Sequence, residues 1–581
     1  MNLARAACLA ASLLCAASMA HAAWLGPWGT PVAPARFGHP VALTSDGASG
    51  VLVAYQGTPV SGGEAIRLQH VLEDGSIAPG WPADGVVACS LATTTLLGVL
   101  RAVSDGSGGA YLVWNETFQR DAPGDGYVQH VQADGSRAQG WPARGRVLVA
   151  SGSQSLHQAL ADGSGGVLVA WAASGAIRSL RILANGANAP SYPASGRLLW
   201  APLPSGATAP DFSLARDDAD GFWVAAAQLS GDTLQFPSSL RLQHLDASGA
   251  IDFNWVGDGL GAKLPAPSSA AVGGGVRVLD DGAGGAYVLA GLELRAMLTH
   301  MVSPQGPDPT WPSEWLDVGP AAWVAGSAAG LEPDGVGGLY ALWTQDNLSP
   351  SRGVLRRVRT DGTLDPAWPS EIGVTATYQP TLLADATGAY ASGTFFLGCP
   401  HQTCLGVSAI ARRLPDGTIP SGWPPLPPGP AAPGEYLLPD STLGGPVHMV
   451  RDGDGGVFAA WTAPATLDQS YGTNGTVRVM RFTGAGPVAD VGDASPRASS
   501  IRGVRFTTAG LQVSLAGDVA SPAELAVFDV AGRRVGEVVR DPEVRVGEVS
   551  VPGTQALPAG LYFVRLRTGT METHAKALVA R

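Results

Sequence analysis

The chain has 581 residues, 45% of them hydrophobic and only 14% charged, so it is too long for one ordinary core and too apolar for disorder. A net charge of -12, with lysine only at Lys263 and Lys576, excludes the clustered basic surface that nucleic acid or an anionic membrane requires. Glycine (78) and proline (45) are abundant without a collagen period, which points to a turn-rich, all-β chain.

Arg5, the apolar run ACLAASLLCAASMA and the small-x-small triplet Ala20-His21-Ala22 read as a secretory leader over residues 1–22, cleaved between Ala22 and Ala23. No later stretch is apolar for long enough to span a membrane as a helix. Removing the leader leaves Cys89, Cys399 and Cys404. In an oxidising compartment CPHQTC (399–404) can close a disulfide loop or carry free thiols. A metal site at Cys399, His401 and Cys404 lacks a fourth ligand.

From residue 40 onward one pattern recurs. SDGSGGAYLVW (104–114), ADGSGGVLVAW (161–171), PDGVGGLYALW (333–343) and RDGDGGVFAAW (451–461) are near-copies of one turn and strand. Aligning on the turn aspartate gives Asp46, Asp105, Asp162, Asp218, Asp281, Asp334, Asp385 and Asp452, eight copies 51 to 67 residues apart. Each has a second half ending in a DG turn and Trp-Pro, as in LQHVLEDGSIAPGWP (68–82). Asp-Gly supplies the positive φ that a tight hairpin needs, and the segments between alternate apolar and polar with period two. In the third copy this predicts strands near 155–160, 166–172, 178–183 and 196–201.

Four short antiparallel strands repeated at this period predict a β-propeller of eight repeats over 23–486, in preference to an open solenoid. The region resembles secreted β-propeller repeat proteins. The eighth copy lacks the Trp-Pro strand, and AWLGPWGTPVA (23–33) reads as that missing strand supplied by the other end of the chain, which would leave no open edge.

The recurring tryptophans, Trp114, Trp171, Trp343 and Trp461 in one row and Trp81, Trp141, Trp311, Trp368 and Trp423 in the other, read as packing between repeats rather than exposed sugar platforms. His70, His130, His244 and His300 share one position on the third strand. The third copy offers Ile182 or Leu183 there, and the sixth and seventh Arg357 and Arg413, so the row reads as hydrogen-bonded structural histidines and not a metal ring. Asp218 with Asp220 and Asp452 with Asp454 are too few oxygens for calcium.

Residues 487–501 form a linker, and 502–581 have their own strand rhythm. Leu525-Ala526-Val527-Phe528-Asp529-Val530-Ala531-Gly532-Arg533-Arg534-Val535 resembles the L-x-V-Y-D-x-x-G-R-x-V segment of the type IX secretion, type A sorting domain. Leu557 to Leu566, with Gly560, Tyr562 and Arg565, resembles its L-x-x-G-x-Y-x-x-R-L segment, and Lys576 to Arg581 its basic terminal strand. The flagellar hook-capping immunoglobulin-like domain shares the first two segments. The resemblance implies a small Ig-like β-sandwich, passage through an outer-membrane secretion translocon, and delivery to the surface or medium of a double-membrane bacterium. Apolar Leu561, Phe563 and Leu566 would face its core, with Arg565 and Arg567 outward.

No G-x-S-x-G, H-E-x-x-H or phosphate-loop motif is present, so no residue is assigned to catalysis, cofactor or metal. Glu116, Asp121 and Asp125 are the few candidate acid–base residues. The reading is therefore a non-catalytic scaffold binding an extracellular glycan or protein. The alternative is a secreted propeller hydrolase or lyase acting on a polysaccharide, whose mark would be unlike polar residues converging where the repeat departs from its consensus.

Overall fold

The computed structural model describes residues 30–579 apart from segments between strands, the longest being 118–124, 201–210, 229–238, 262–271, 321–327, 424–434, 439–446, 465–473 and 489–499. Ala22, Ala23, Asp121, Cys399, His401, Cys404 and Gly532 lie outside the described residues. The described chain is all-β and contains no helix, hence none long and apolar enough to cross a membrane. It divides into two units, Met1–Val488 and Ala489–Arg581.

The first unit is built of small antiparallel sheets, one per copy of the repeat. In the third copy the strands are Gln154–Ala161, Val167–Ala173, Ala176–Ile182 and Arg197–Trp200, paired in that order. The second copy and the fourth to seventh repeat this plan. The first and eighth copies share one nine-stranded sheet, because Thr30–Arg36 pairs along Asn474–Thr483 and touches Val51–Val60 at Ala35↔Gly57. Pro31 and Pro34, which cannot donate to a ladder, are tolerated because only one long flank of this strand is paired.

The first strands pack side by side in chain order. Val41–Ser45 lies against Leu96–Ser104, which lies against Gln154–Ala161, followed by Asp211–Arg216, Val272–Asp280, Ala328–Pro333, Tyr378–Asp385 and His448–Arg451. His448–Arg451 in turn packs on Val41–Ser45. Arg481 of the eighth copy also pairs with Glu73 of the first at 2.6 Å.

The tryptophans are core. Trp114, Trp171, Trp223, Trp343 and Trp461 are among the largest fully buried side chains. Trp114 packs with Leu52, Ile66 and Leu68 of the preceding copy, so it fills the gap between neighbouring sheets. Each such ring buries enough apolar area to contribute several kcal/mol, roughly 4–6 at about 25 cal/mol per Å². The glycine before the fourth strand is fitted to it: at Gly196, with φ +76°, a Cβ would come within 2.6 Å of Trp171.

The second unit has two sheets. One is Ser500–Thr507, Gly510–Ala516 and Gly547–Ser550; the other is Arg534–Arg540, Ala523–Asp529, Gly560–Thr568 and Met571–Val579. Leu511 and Val513 of the first share a core with Leu525, Val527, Tyr562, Val564 and Leu566 of the second. The inward phase of Gly560–Thr568 is thus Tyr562, Val564 and Leu566: Leu566 is where the sequence put it, while Tyr562 and Val564 take the core places expected of Leu561 and Phe563. Tyr562 is buried because its hydroxyl finds the Pro558 carbonyl at 3.0 Å.

Candidate functional site: a ring of unlike residues on the first strands

The repeat is held by a frame that recurs almost unchanged. In seven copies the Oδ1 of the turn aspartate accepts the backbone N–H groups two and four residues on, as Asp452 does from Asp454 and Gly456 at 2.8 Å each. Its Oδ2 takes a cation or imidazole from the third strand. His70, His130, His244 and His300 bind Asp46, Asp105, Asp217 and Asp281 through Nε2 at 2.6–2.9 Å. Arg181, Arg357 and Arg481 do the same for Asp162, Asp334 and Asp452. In Asp281 burial works to raise the carboxyl pKa, but the bonds from His300 and the turn N–H groups outweigh it and hold it below the ordinary range.

This frame corrects three sequence assignments. The turn aspartate of the fourth copy is Asp217, not Asp218, because only Asp217 has Gly221 four residues on to donate back at 2.6 Å. The third-strand partner in the third copy is Arg181 rather than Ile182 or Leu183, and in the seventh it is Arg412 rather than Arg413. Arg412 stands opposite Tyr390 and over its ring, and bonds Thr387, since the seventh turn is shorter. All eight copies therefore carry His or Arg at this position, and in seven of them the oxygens of the turn aspartate are committed to it and to their own turn.

Four residues before the turn aspartate the uniformity ends. The eight copies present Ala42, Arg101, Gln158, Ser213, Arg277, Gly330, Thr381 and His448. The equivalence is structural: each pairs with the same second-strand position, from Ala42↔Ala54 to His448↔Ala460. Because the first strands pack in sequence, these residues form a ring, and a cavity of about 360 Å³ is lined by Ser213, Arg277, Gly330, Glu332 and Thr381 among others. Gly330 is required there, since a Cβ would meet the Leu382 Cβ at 2.6 Å.

Some members seal the ring. Gln158 bonds the Phe212 carbonyl and accepts from Leu214 N–H at 3.1 Å, and Ser213 accepts from Val278 N–H at 3.2 Å. The charged members do something else. Arg101 is exposed and Arg277 and His448 are partly exposed, yet protein surrounds all three. That enclosure pushes the Arg101 guanidinium below its ordinary pKa, with the charge of Arg277 adding to the effect. Arg277 is lowered by burial in the same way, partly offset by Asp211. Burial, then Arg101, drives the His448 imidazole down to about 3, so it is neutral at pH 7. The Asp211 carboxyl is raised by burial against the pull of Arg277 and the Val276 and Gly275 N–H groups. Two residues after Gly330, Glu332 accepts from Arg451, which also bonds the Ala384 carbonyl, and burial raises Glu332 to about 7.

The sequence candidates lie elsewhere. Glu116 and Asp125 face each other across the second and third strands of the second copy, outside the ring. Trp114 Nε1 donates to Glu116 at 3.4 Å, and burial raises its carboxyl pKa. Cys89 is a buried free thiol, pushed up to about 12 chiefly by burial. Among the described residues no group of three or more His, Cys, Asp or Glu could hold a metal ion. In the second unit, Asp529 accepts from Arg533 N–H and pairs with its guanidinium at 2.8 Å. Arg565 lies over the Phe528 ring, and Gly560 and Lys576 are on the last two strands, which pair in register. The ring itself was reachable from sequence by counting back four from each turn aspartate, once Asp217 replaces Asp218.

No protein-family model and no curated protein matches this sequence. Among solved structures the chain is similar to a polysaccharide lyase of family PL25, an ulvan lyase solved bound to -[GlcA(1-4)Rha3S]-, at 10% identity and TM-score 0.37, over 71% of this chain and 94% of that one. It is similar to the polysaccharide lyase Uly1 at 9% identity and TM-score 0.33, over 56% and 78%. A third is prolyl oligopeptidase B from Galerina marginata, at 11% identity and TM-score 0.37, over 82% and 58%. The ring has the unlike residues, at one place where the repeat departs from its consensus, that mark the enzyme alternative. The expectation of a non-catalytic binding scaffold is corrected accordingly.

Proposed function

We propose that the first unit is an eight-bladed propeller enzyme that cleaves a polysaccharide at the ring of first-strand positions that carries Arg101, Arg277 and His448. The observation that carries this is one register position holding a different residue in nearly every copy, inside a repeat that is otherwise uniform. Structural needs repeat with the repeat, whereas chemistry needs different roles side by side. The ring of first-strand contacts and the pairing of Thr30–Arg36 with Asn474–Thr483 support the eight-bladed reading.

The rest of the proposal is export. The leader with cleavage at Ala22–Ala23, and a C-terminal Ig-like sorting domain carrying Asp529, Gly532, Arg533, Gly560, Tyr562, Arg565 and Lys576, would deliver the enzyme through an outer-membrane translocon to the cell surface or medium. Deleting 500–581 should retain the protein in the periplasm, and normal release of the truncated chain would remove the sorting role. For the activity, the purified chain is incubated with a panel of polysaccharides and new chain ends are counted. Turnover that persists undiminished in the R101Q/H448Q double variant would place the chemistry elsewhere.

A further inference from the structure

In the second unit Leu525, Val527, Val564 and Leu566 fill the core between the two sheets, so the alternate residues of the same strands lie on the outer face of the four-stranded sheet. Register orders that face in rows. One row runs Arg534, Phe528, Phe563 and Lys576; the next holds Ala526, Arg565 and His574; the last runs Arg540, Glu524, Arg567 and Glu572. Phe528 and Phe563 are half-buried and stand opposite one another, and the Arg565 guanidinium lies over the Phe528 ring at 4.7 Å. Arg534, Arg540 and Arg567 are exposed. Among the described residues Arg565 alone of these four reaches a carboxylate, Glu524 at 3.9 Å, which is beyond a hydrogen bond. Residues 489–581 hold 11 of the chain's 36 lysines and arginines and 10 of its 48 acidic residues, so the acidic excess belongs to the first unit.

We infer that this face docks an acidic protein segment, which sets an apolar side chain against Phe528 and Phe563 and carboxylates against Arg534, Arg540, Arg565 and Arg567. The inference requires neither the activity nor the export proposed above. Cations alone would suit any polyanion, but an aromatic pair among them needs an apolar group on the partner as well. Phenylalanine and arginine are the residues that protein interfaces concentrate, and lysine, which they shun, holds one place on the face. Carboxylates two residues apart on an extended segment are about 7 Å apart, the interval between Arg565 and Arg567 along their own strand. A guanidinium binds each such carboxylate through two parallel N–H groups. Four strands and three rows make a patch about 14 Å by about 14 Å. That is far below the roughly 800 Å² per partner of a standard interface, so the contact is transient and steered by charge.

The full chain is titrated with a random copolymer of glutamate and tyrosine, with poly-glutamate, and with polygalacturonate, an acidic polymer that has no apolar side chain. Binding is followed by biolayer interferometry at low and high salt. The expected result is saturable binding of the copolymer, tighter than that of poly-glutamate and weakened by salt. R534Q/R540Q and R565Q/R567Q should each weaken it by about 10-fold. F528S should erase the preference for the copolymer over poly-glutamate, while R137Q, which removes an exposed arginine of the first unit, should change nothing. Thermal midpoints establish that the variants are folded, and should F528S fail to fold, the arginine variants decide. Polygalacturonate bound as tightly as the copolymer would overturn the protein partner in favour of an acidic glycan. No binding of the copolymer, or binding that both arginine variants leave intact, would overturn the docking face itself.

Discussion

Four residues separate Asp452 from His448 on one short strand, yet the two positions obey different rules. Asp452 has a counterpart that does the same job in six other copies; His448 has none. The turn position is governed by local geometry, because a carboxylate that caps its own turn and binds the third strand suits every sheet equally. The ring position lies on first strands that pack against those of the neighbouring copies, so one residue there relieves the others of that role. Uniformity marks what holds each repeat up, and irregularity marks what the assembled repeats can do.

The sharpest way to break this comparison is to damage the frame. D452A leaves Arg481, 9% exposed, without its main partner and strands two turn N–H groups. It should cost about 3–5 kcal/mol, the usual loss when one member of a buried pair is removed. Denaturant unfolding checks this, and a loss below about 1 kcal/mol would mean that the frame is ornamental.

Overfilling the ring comes next. G330V would drive its side chain into Leu382 and should cost about 1–3 kcal/mol. The same measurement reads it, and the 360 Å³ cavity should shrink with it.

Removing ring charge should do the opposite of removing frame charge. R101Q takes a guanidinium out of an enclosed site where Arg277 repels it, so its stability should match or exceed the parent, within about 1 kcal/mol, while activity falls. Matching losses of stability and activity would erase the distinction between frame and ring.

The pH dependence gives two smaller effects of opposite sign. Glu332 titrates near 7 in the folded chain against 4.5 ordinarily, so the native state holds its proton more tightly. Its contribution is full below about 4.5 and is lost as pH rises to about 7. His448 is depressed from 6.5 to about 3, so its contribution is full above about 6.5 and is lost as pH falls towards 3. In unfolding followed from pH 3 to 8, E332Q should remove a decline and H448Q an incline.

The smallest expected effect is D220G. Asp220 adopts φ 64° where the other turns have glycine, and its partner Arg216 is an exposed ion pair. Relief of the left-handed strain and loss of the pair should nearly cancel, leaving a change within about 1 kcal/mol.

Much of the frame was legible in the sequence, and its misreadings have simple causes. Asp217 and Asp218 are adjacent, and only the N–H donors two and four residues on decide between them. Arg181 and Tyr562 were displaced by one residue, which in a strand moves a side chain to the opposite face. Residues 1–22, Cys399 and Cys404 of the CPHQTC loop, and Asp121 fall outside the described residues.

The sequence by itself determined the strand and turn period, since Asp-Gly conformations and apolar alternation act over a few residues and recur wherever the letters do. The tertiary structure alone decided that Arg101, Arg277 and His448, up to 347 residues apart along the chain, hold one register on first strands that pack in a ring. Equal places in a repeat become neighbours only once the first strands pack around a common space. The same enclosure creates their chemistry, because a guanidinium or imidazole is perturbed by the protein that surrounds it, and no short stretch of sequence contains that protein.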